Sequence, residues 1–464
     1  MITRAIIEFS YLLSSFLFLQ GLHDLSSTRN PRRGNYLLGF GLFLAIASTF
    51  LQEKMNNLGW ILASIILGIV IGILSARKVR ISNSPIILSF FNAVGGLSAA
   101  MISFLEFNYH PLMLKGTILL NQQGVFSLLS ILTGTVAFSG SVVNIFRYNR
   151  IFPESGISFP FQRILNFLVL LNSFIIAGFL LSKTEPDRHL LLLFTILSAI
   201  YGIFFCLPLS GVDSPIGISF LNSFAGLSTA FCGFIFENQI LIFTGVLVGA
   251  SGFIMTILLA RNLKRSLGNV LLGGFQNVPM SKNESEDKNY AELRTEDLAV
   301  LLKYSRKILI LPGYGVGAAQ AHFFCKDLEE TLKDFGVEVK YIIHPLAGRM
   351  PGHINILLSE AKVSYDSLIE LEDANHEFNS TDVVLAIGAN DIINPVLTDD
   401  SKNPLYGIPR LHLNEIQNLV VIKRSLHPGF ANLNNPIFQD PKTHLILGNI
   451  KTTLIKLISD IKKN

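Results

Sequence analysis

Nine apolar runs fill the first 265 residues, near 5–22, 36–52, 58–76, 85–106, 124–146, 163–182, 188–208, 214–235 and 239–260. Each is close to the roughly 20 residues, within about 17–25, that a helix needs to cross a bilayer. In hydrocarbon a backbone polar group must be satisfied inside its own segment, so such runs in series fold as a helix bundle. The charges agree with this division. Of 33 acidic residues in the 464-residue chain, nine lie before residue 266 and 24 after it. The chain therefore divides into a membrane domain (1–265), a linker with a lead-in helix (266–300) and a soluble domain (301–464). The first run lacks a small-residue cleavage site and is followed by more spans, so it is expected to stay as a helix. The net charge of +4 belongs to loop cations, and no aromatic-basic patch suggests nucleic acid. Cys206, Cys232 and Cys325 are too dispersed for a disulfide framework, and neither they nor the scattered histidines have metal-binding spacing.

Loop charge predicts the orientation. Loops after the first, third, fifth and ninth runs carry Arg29, Arg32 and Arg33; Arg77, Lys78 and Arg80; Arg147 and Arg150; and Arg261, Lys264 and Arg265. The alternate loops carry only Lys54, Lys115, Lys183 and Arg188. The positive-inside bias puts the N terminus outside and everything after residue 265 in the cytoplasm. Trp60, the single tryptophan, is expected at the outer interface as an anchor.

Two of the runs are copies. Residues 83–104 (NSPIILSFFNAVGGLSAAMISF) and 213–234 (DSPIGISFLNSFAGLSTAFCGF) are identical at 11 of 22 positions, at a constant offset of 130 and with no gap. Each copy is followed by a run rich in glycine and serine. Internal repeats are a habit of transport folds, whose working sites lie near the midplane. Each copy places an asparagine mid-helix, Asn92 and Asn222. A carboxamide in hydrocarbon needs a partner, and such interhelical bonds contribute about 0.6–2 kcal/mol. Packing glue and a polar pathway both fit that pair. Asp213 starts the second copy, where its charge suits a helix N terminus and would cap it, or where it would serve as a titratable group at the mouth of a pathway.

The soluble half alternates strand and helix. After a polar tether at 276–290, a short helix begins at Thr295. Strands are predicted at 307–311, 338–343, 367–371, 382–388, 418–423 and 444–448, with helices near 317–335, 353–361 and 450–462. This is a Rossmann-like, doubly wound parallel sheet of about six strands. Its first strand runs into Gly313, Tyr314, Gly315 and Ala318, a glycine turn of the dinucleotide type. Gly315 lets the backbone approach a pyrophosphate, and Ala318 takes the place of the third small residue that brings helix and strand together. No acid ends the second strand, so the usual partner of an NAD ribose is missing. Lys423-Arg424-Ser425 at the fifth strand end suits a phosphate monoester, which argues for NADP. No Ser/His/Asp or Cys/His arrangement stands out.

On these residues the chain resembles the beta subunit of the proton-translocating NAD(P) transhydrogenase family. The resemblance covers essentially the whole chain and rests on PGYGVGAAQA, HPLAGRMPGHINILLSEAKVSYD, IGANDIINP, VIKRS, the GIP at 407–409, NNPIF at 434–438 and DSPIGISFLNS. It implies a nine-helix membrane domain and a cytoplasmic NADP(H) domain in a bacterial inner membrane. It also implies a partner alpha subunit carrying NAD(H) and further helices, with the alpha-beta units forming a dimer. The implied activity is direct hydride transfer between the two nucleotides, coupled to proton movement into the cell, with no side-chain acid or base.

Carried over by position, the cofactor site is Gly313, Tyr314, Gly315 and Ala318; then Leu346, Ala347, Gly348, Arg349, Met350 and Pro351; and Gly388, Ala389, Asn390, Asp391 and Ile392. Gly407 and Ile408 belong to it as well. Lys423, Arg424 and Ser425 would hold the 2′-phosphate. Leu426, His427, Pro428, Gly429 and Phe430 would form a lid, and Asn449 and Ile450 would complete the site. Asn390 and Asp391 would sense the bound redox state. Asn92, Asp213 and Asn222 would mark the proton pathway. The chain departs from the pattern twice. Asn92 stands where many relatives have a histidine and cannot titrate, so the carrier is expected elsewhere. Phe430 replaces a frequent tyrosine and removes a hydroxyl. A transporter or channel with a regulatory nucleotide domain, or an anchoring subunit with a structural nucleotide, would share the composition and the repeat, but not the three motif loops together.

Overall fold

The computed structural model describes residues 2–26, 31–51, 57–78, 84–109, 122–149, 151–152, 157, 159–183, 186–209, 213–262, 290–345, 347–348, 352–395, 411–426, 429 and 433–463. Among the described residues, nine long helices come first: α1 Ile2–Ser26, α2 Pro31–Thr49, α3 Leu58–Lys78, α4 Ser84–Tyr109, α5 Gln122–Tyr148, α6 Gln162–Ser182, α7 Arg188–Cys206, α8 Ser214–Ile235 and α9 Gln239–Asn262. Eight of them are long and apolar enough to cross a membrane. The exception is α2, which opens with Pro31, Arg32 and Arg33 and carries Gly34, Gly39 and Gly41. It packs on α1 instead, where a Cβ on Gly21 would lie 2.8 Å from Leu38 Cγ.

The sequence repeat is a repeat of helix hairpins, α4–α5 and α8–α9. In the first, a Cβ on Gly96 would lie 2.7 Å from the Gly134 carbonyl oxygen. In the second, a Cβ on Gly226, the equivalent position, would lie 2.9 Å from the Gly245 oxygen. Only glycine lets these backbones come so close. The hairpins lock together where α5 meets α8: Ser228 Oγ donates to the Ser130 carbonyl at 2.8 Å, and Ser130 Oγ donates to the Ser228 carbonyl at 3.0 Å. Some cations assigned above to loops belong to helix ends. Arg32 and Arg33 lie in the first turn of α2. Arg147 is in the last turn of α5, 3% exposed, with its Nη2 donating to the carbonyls of Cys206 (2.6 Å) and Leu207 (3.0 Å) at the end of α7.

The soluble domain is a seven-stranded parallel sheet in the order β1-β7-β6-β5-β2-β3-β4. Its strands are β1 Ala291–Glu292, β2 Lys307–Pro312, β3 Glu338–Ile343, β4 Leu368–Glu370, β5 Val383–Ile387, β6 Leu419–Lys423 and β7 Thr443–Leu447. Six match the predicted strands. The seventh, β1, is a two-residue edge strand too short to leave a pattern. Around the sheet pack α10 Thr295–Lys303, α11 Tyr314–Ala318, α12 His322–Asp334, α13 His353–Glu360, α14 Leu371–Glu377 and α15 Ile450–Lys463. The helix predicted over 317–335 is in fact two, α11 and α12, separated at Gln320, whose φ of 51° interrupts the spiral. Strands β2, β5 and β6 are nearly all buried and almost wholly apolar, so they pack from both faces, as central parallel strands must. The strand order reverses between β2 and β5. Ligands of open parallel sheets sit beyond the strand ends at such a switch point.

Candidate functional site

Two glycine loops face each other across the switch point. The Gly313 N–H donates to the Ile387 carbonyl at 2.8 Å, and the Gly315 N–H donates to the Gly388 carbonyl at 2.9 Å. Gly388 has φ +64°, and a Cβ on Gly315 would lie 2.6 Å from Gly388 Cα. The β2 and β5 ends therefore touch backbone to backbone, which side chains at either position would prevent. Ile450, at the start of α15, closes the same spot, its Cδ1 2.9 Å from where a Gly315 Cβ would be. Asn449 is exposed and caps α15, its Oδ1 accepting from the Lys451 N–H at 3.0 Å.

Close packing of α11 falls on Gly317 rather than Ala318. A Cβ on Gly317 would lie 2.9 Å from Leu357 Cδ1 of α13, whereas Ala318 is exposed. Ala318, expected to bring helix and strand together, is exposed, and α11, which starts at Tyr314, turns its 317 face toward α13. Ala347 is buried, and Gly348 (φ +108°) presses on His353, a Cβ there lying 2.7 Å from His353 Cβ. His353 is fully buried, with its ring 6.5 Å from that of Tyr314. Leu346, Arg349, Met350, Pro351, Gly407, Ile408, His427, Pro428 and Phe430 lie outside the described residues.

At the end of β6 the three predicted phosphate residues separate. Arg424 is exposed and Ser425 half-buried. Lys423 is 6% exposed and points inward: its Nζ donates to Asn390 Oδ1 at 2.5 Å and lies 4.4 Å from the centre of the Phe438 ring. Burial pushes its ammonium down to about 8, against the opposing pull of Asp391. Asn390 Nδ2 donates in turn to Asp391 Oδ1 at 3.0 Å. A Cβ on Gly429 would lie 2.5 Å from Asp391 Oδ2, so the backbone at Gly429 rests on that carboxylate, and Leu426 packs on the domain core. Ala389 and Ile392 are buried beneath this loop.

Asn435 Nδ2 donates to the Asn390 carbonyl at 2.9 Å, and Asn394 Nδ2 donates to the Asn434 carbonyl at 3.1 Å. The residue before this pair, Leu433, packs against the apolar core of the helix bundle. Asn394, Asn434, Asn435 and Phe438 were not singled out as site residues. Their signal was the pair of motifs IGANDIINP and NNPIF, quoted above for the resemblance, in which these four residues stand without a role of their own.

In the bundle, Asn92 Nδ2 donates to the Ile218 carbonyl of α8 at 3.3 Å, while Asn222 is half-buried. Asp213 is 3% exposed and precedes α8, but its side chain makes no capping bond. Its carbonyl accepts from the Ile216 N–H at 3.0 Å instead, so the expected side-chain cap is corrected. Beside it Tyr148 Oη and Ser214 Oγ are 2.8 Å apart. Asp213 acts electrostatically on Arg147. Among the described residues no cluster of three His, Cys, Asp or Glu could hold a metal.

A bundle of membrane-length helices joined to a parallel sheet with paired glycine loops at its switch point defines a membrane protein with a dinucleotide-type domain. The profile of the NAD(P) transhydrogenase beta subunit matches residues 7–460. Two curated relatives, both NAD(P) transhydrogenase subunit beta of Rhodospirillum rubrum, one from a particular strain, are each 34% identical over 455 residues, 97% of either chain. The chain belongs to the NAD(P) transhydrogenase beta-subunit family.

Proposed function

We propose that this chain binds NADP(H) and exchanges hydride with NAD(H) held by a partner alpha subunit, driven by proton entry from outside to the cytoplasm. The observation that carries this reading is the chain of bonds Lys423–Asn390–Asn435, which runs from the end of β6, next to the switch point, to the segment whose Leu433 packs on the bundle. The residues fit the nucleotide. Gly313, Tyr314, Gly315 and Ala318 present backbone to a pyrophosphate; Ala347 and Gly348 wall one side; Arg424 and Ser425 face outward for a 2′-phosphate, with Lys423 behind them. When bound, NADP(H) supplies the hydride acceptor or donor. The protein contributes position and exclusion of water: Gly388 and Asn390 orient one end, and Leu426 and Gly429 belong to the lid over it.

Coupling needs a state of the nucleotide loop that depends on protonation in the bundle. Asn390 and Asp391 sense the bound state through Lys423, and Asp213, at the mouth of the bundle, reports protonation to that loop. The orientation that suits this role is an external N terminus and a cytoplasmic sheet domain, with alpha-beta units paired as dimers. The test is the complete complex in sealed vesicles, supplied with NADH and NADP+. NADPH formation accelerated by an imposed proton gradient supports the reading, and no hydride exchange at all removes it.

A further inference from the structure

Helix α6 packs on its neighbours through a stripe at seven-residue spacing, Asn166, Ser173 and Leu180, all buried. On the opposite side of the helix, at about 3.6 residues per turn, lie Leu165, Leu168, Asn172, Ile175 and Phe179. These five alternate at spacings of three and four, the seam of a coiled coil, and every one is exposed. Apolar side chains on a membrane helix can face lipid, but Asn172 stands midway between Gln162 and Ser182, at the centre of the span. Its Nδ2 donates to the Leu168 carbonyl of its own helix at 2.8 Å. Among the described residues that is its only bond, which leaves the carboxamide oxygen and a second N–H turned toward hydrocarbon. Other carboxamides in the bundle face inward: Asn92 donates to the Ile218 carbonyl, and Asn144 and Asn166 are wholly buried. Helix α3 gives the contrast. None of its residues from Leu58 to Ser75 is buried, yet the hydroxyl of Ser64 is satisfied by the Trp60 carbonyl at 2.8 Å. A hydroxyl can be satisfied in that way, whereas a carboxamide with two N–H groups and an oxygen needs another chain.

We propose that the seam from Leu165 to Phe179 is a contact between two copies of this chain, with Asn172 of each copy bonded to Asn172 of the other. The occupant follows from complementarity. Two copies in one membrane share an orientation, so a two-fold axis along the bilayer normal sets identical α6 helices side by side, parallel and in register. Each carboxamide then meets a group that both donates and accepts at the same depth. A single polar position in an apolar seam fixes register and the number of strands, because any slip sets it against hydrocarbon. A different chain would have to place a polar group of its own at that depth. The inference rests on the membrane placement and the paired units proposed above, and it names the surface that joins them. Asn172 takes no part in hydride or proton transfer.

Photocrosslinking of the complete complex in native membranes tests the seam. Benzoylphenylalanine is placed at Ile175, beside Asn172 on the seam, or at Val70 of α3 as the control; the two positions are alike in exposure, at 48% and 46%. Adducts between two copies of this chain are expected at least tenfold more often from position 175 than from position 70. Adducts from position 175 with the alpha subunit, or with lipid alone, would overturn the proposal. Asn172→Leu keeps the seam apolar and removes the carboxamide. It is expected to cut the copy-to-copy adduct at least fivefold, and Asn172→Gln is expected to keep most of it. An undiminished adduct in Asn172→Leu would equally overturn the proposal. Copy-to-copy adducts in a complex that exchanges no hydride would remove the function proposed above and leave the seam standing.

Discussion

The two halves of the chain treat buried polar groups in opposite ways. In the sheet domain Lys423, Asn390, Asp391 and Asn435 satisfy one another directly, in a chain of protein-to-protein bonds. In the bundle Ser89, Ser141 and Asn144 meet no protein partner among the described residues. A closed network answers a ligand by rearranging, because every bond is already shared. An open set of polar positions answers only to what diffuses into it. The first arrangement suits a site that must register which nucleotide it holds, and the second suits a path that must pass something small.

The largest effect is expected where the open half begins. Asp213→Asn makes the second repeat start like the first, which has Asn83 there. Proton movement should fall at least tenfold while NADP+ binding persists; undiminished pumping in vesicles would erase the contrast between the halves. Next, breaking the closed half by Lys423→Met should weaken NADP+ binding about tenfold, or about 1.4 kcal/mol, measured by calorimetry. The same lysine predicts a pH dependence. Its folded ammonium titrates near 8, so NADP+ affinity should fall as pH rises through 8, and less so in Lys423→Arg. The sign for stability is opposite. An unfolded lysine keeps its proton to about 10.4, so the unfolded state binds more protons in the window between, and the nucleotide-free domain should become more stable across it.

A smaller effect is expected at the hairpin crossings. Gly226→Val should destabilise the bundle by about 1–3 kcal/mol in thermal unfolding, as overpacking does, and Gly96→Val should match it. Gly95→Val has nothing within 4 Å of its Cβ and should be neutral. If all three behaved alike, the crossings would not be what holds the hairpins. The smallest effect belongs to Asn92→Leu, whose bond to α8 is worth about 0.6–2 kcal/mol. A larger loss would mean that Asn92 does more than hold α4 to α8.

Much of this was legible in the residues. Apolar length located the helices, and all six strand assignments fell within a residue or so, because β2, β5 and β6 are apolar runs with no other use. The glycine turn after β2 showed in local spacing, and the family in the motifs that resemble it. What escaped depends on contacts between distant segments. Arg147 looked like a loop cation because nothing local shows that the carbonyls of Cys206 and Leu207, about sixty residues on, will take its guanidinium. Asn435 and Leu433 lie in a stretch whose partners are the β5 loop and the bundle. Gly317 rather than Ala318 faces α13 because the first helix is a single short turn, and the break at Gln320 left no proline or glycine to announce it. Asn144 carried no signal at all beyond being one more polar residue in a serine-rich helix.

Trp60 has an optical consequence. It is the only tryptophan in the chain, it stands 78% exposed in the first turn of α3, and the sheet domain contains none. The chain's own ultraviolet emission above the tyrosine band therefore comes from one lamp, fixed to the helix bundle. Any change in its colour when NADP+ is added would be a signal that started at the glycine loops and crossed the protein to reach it.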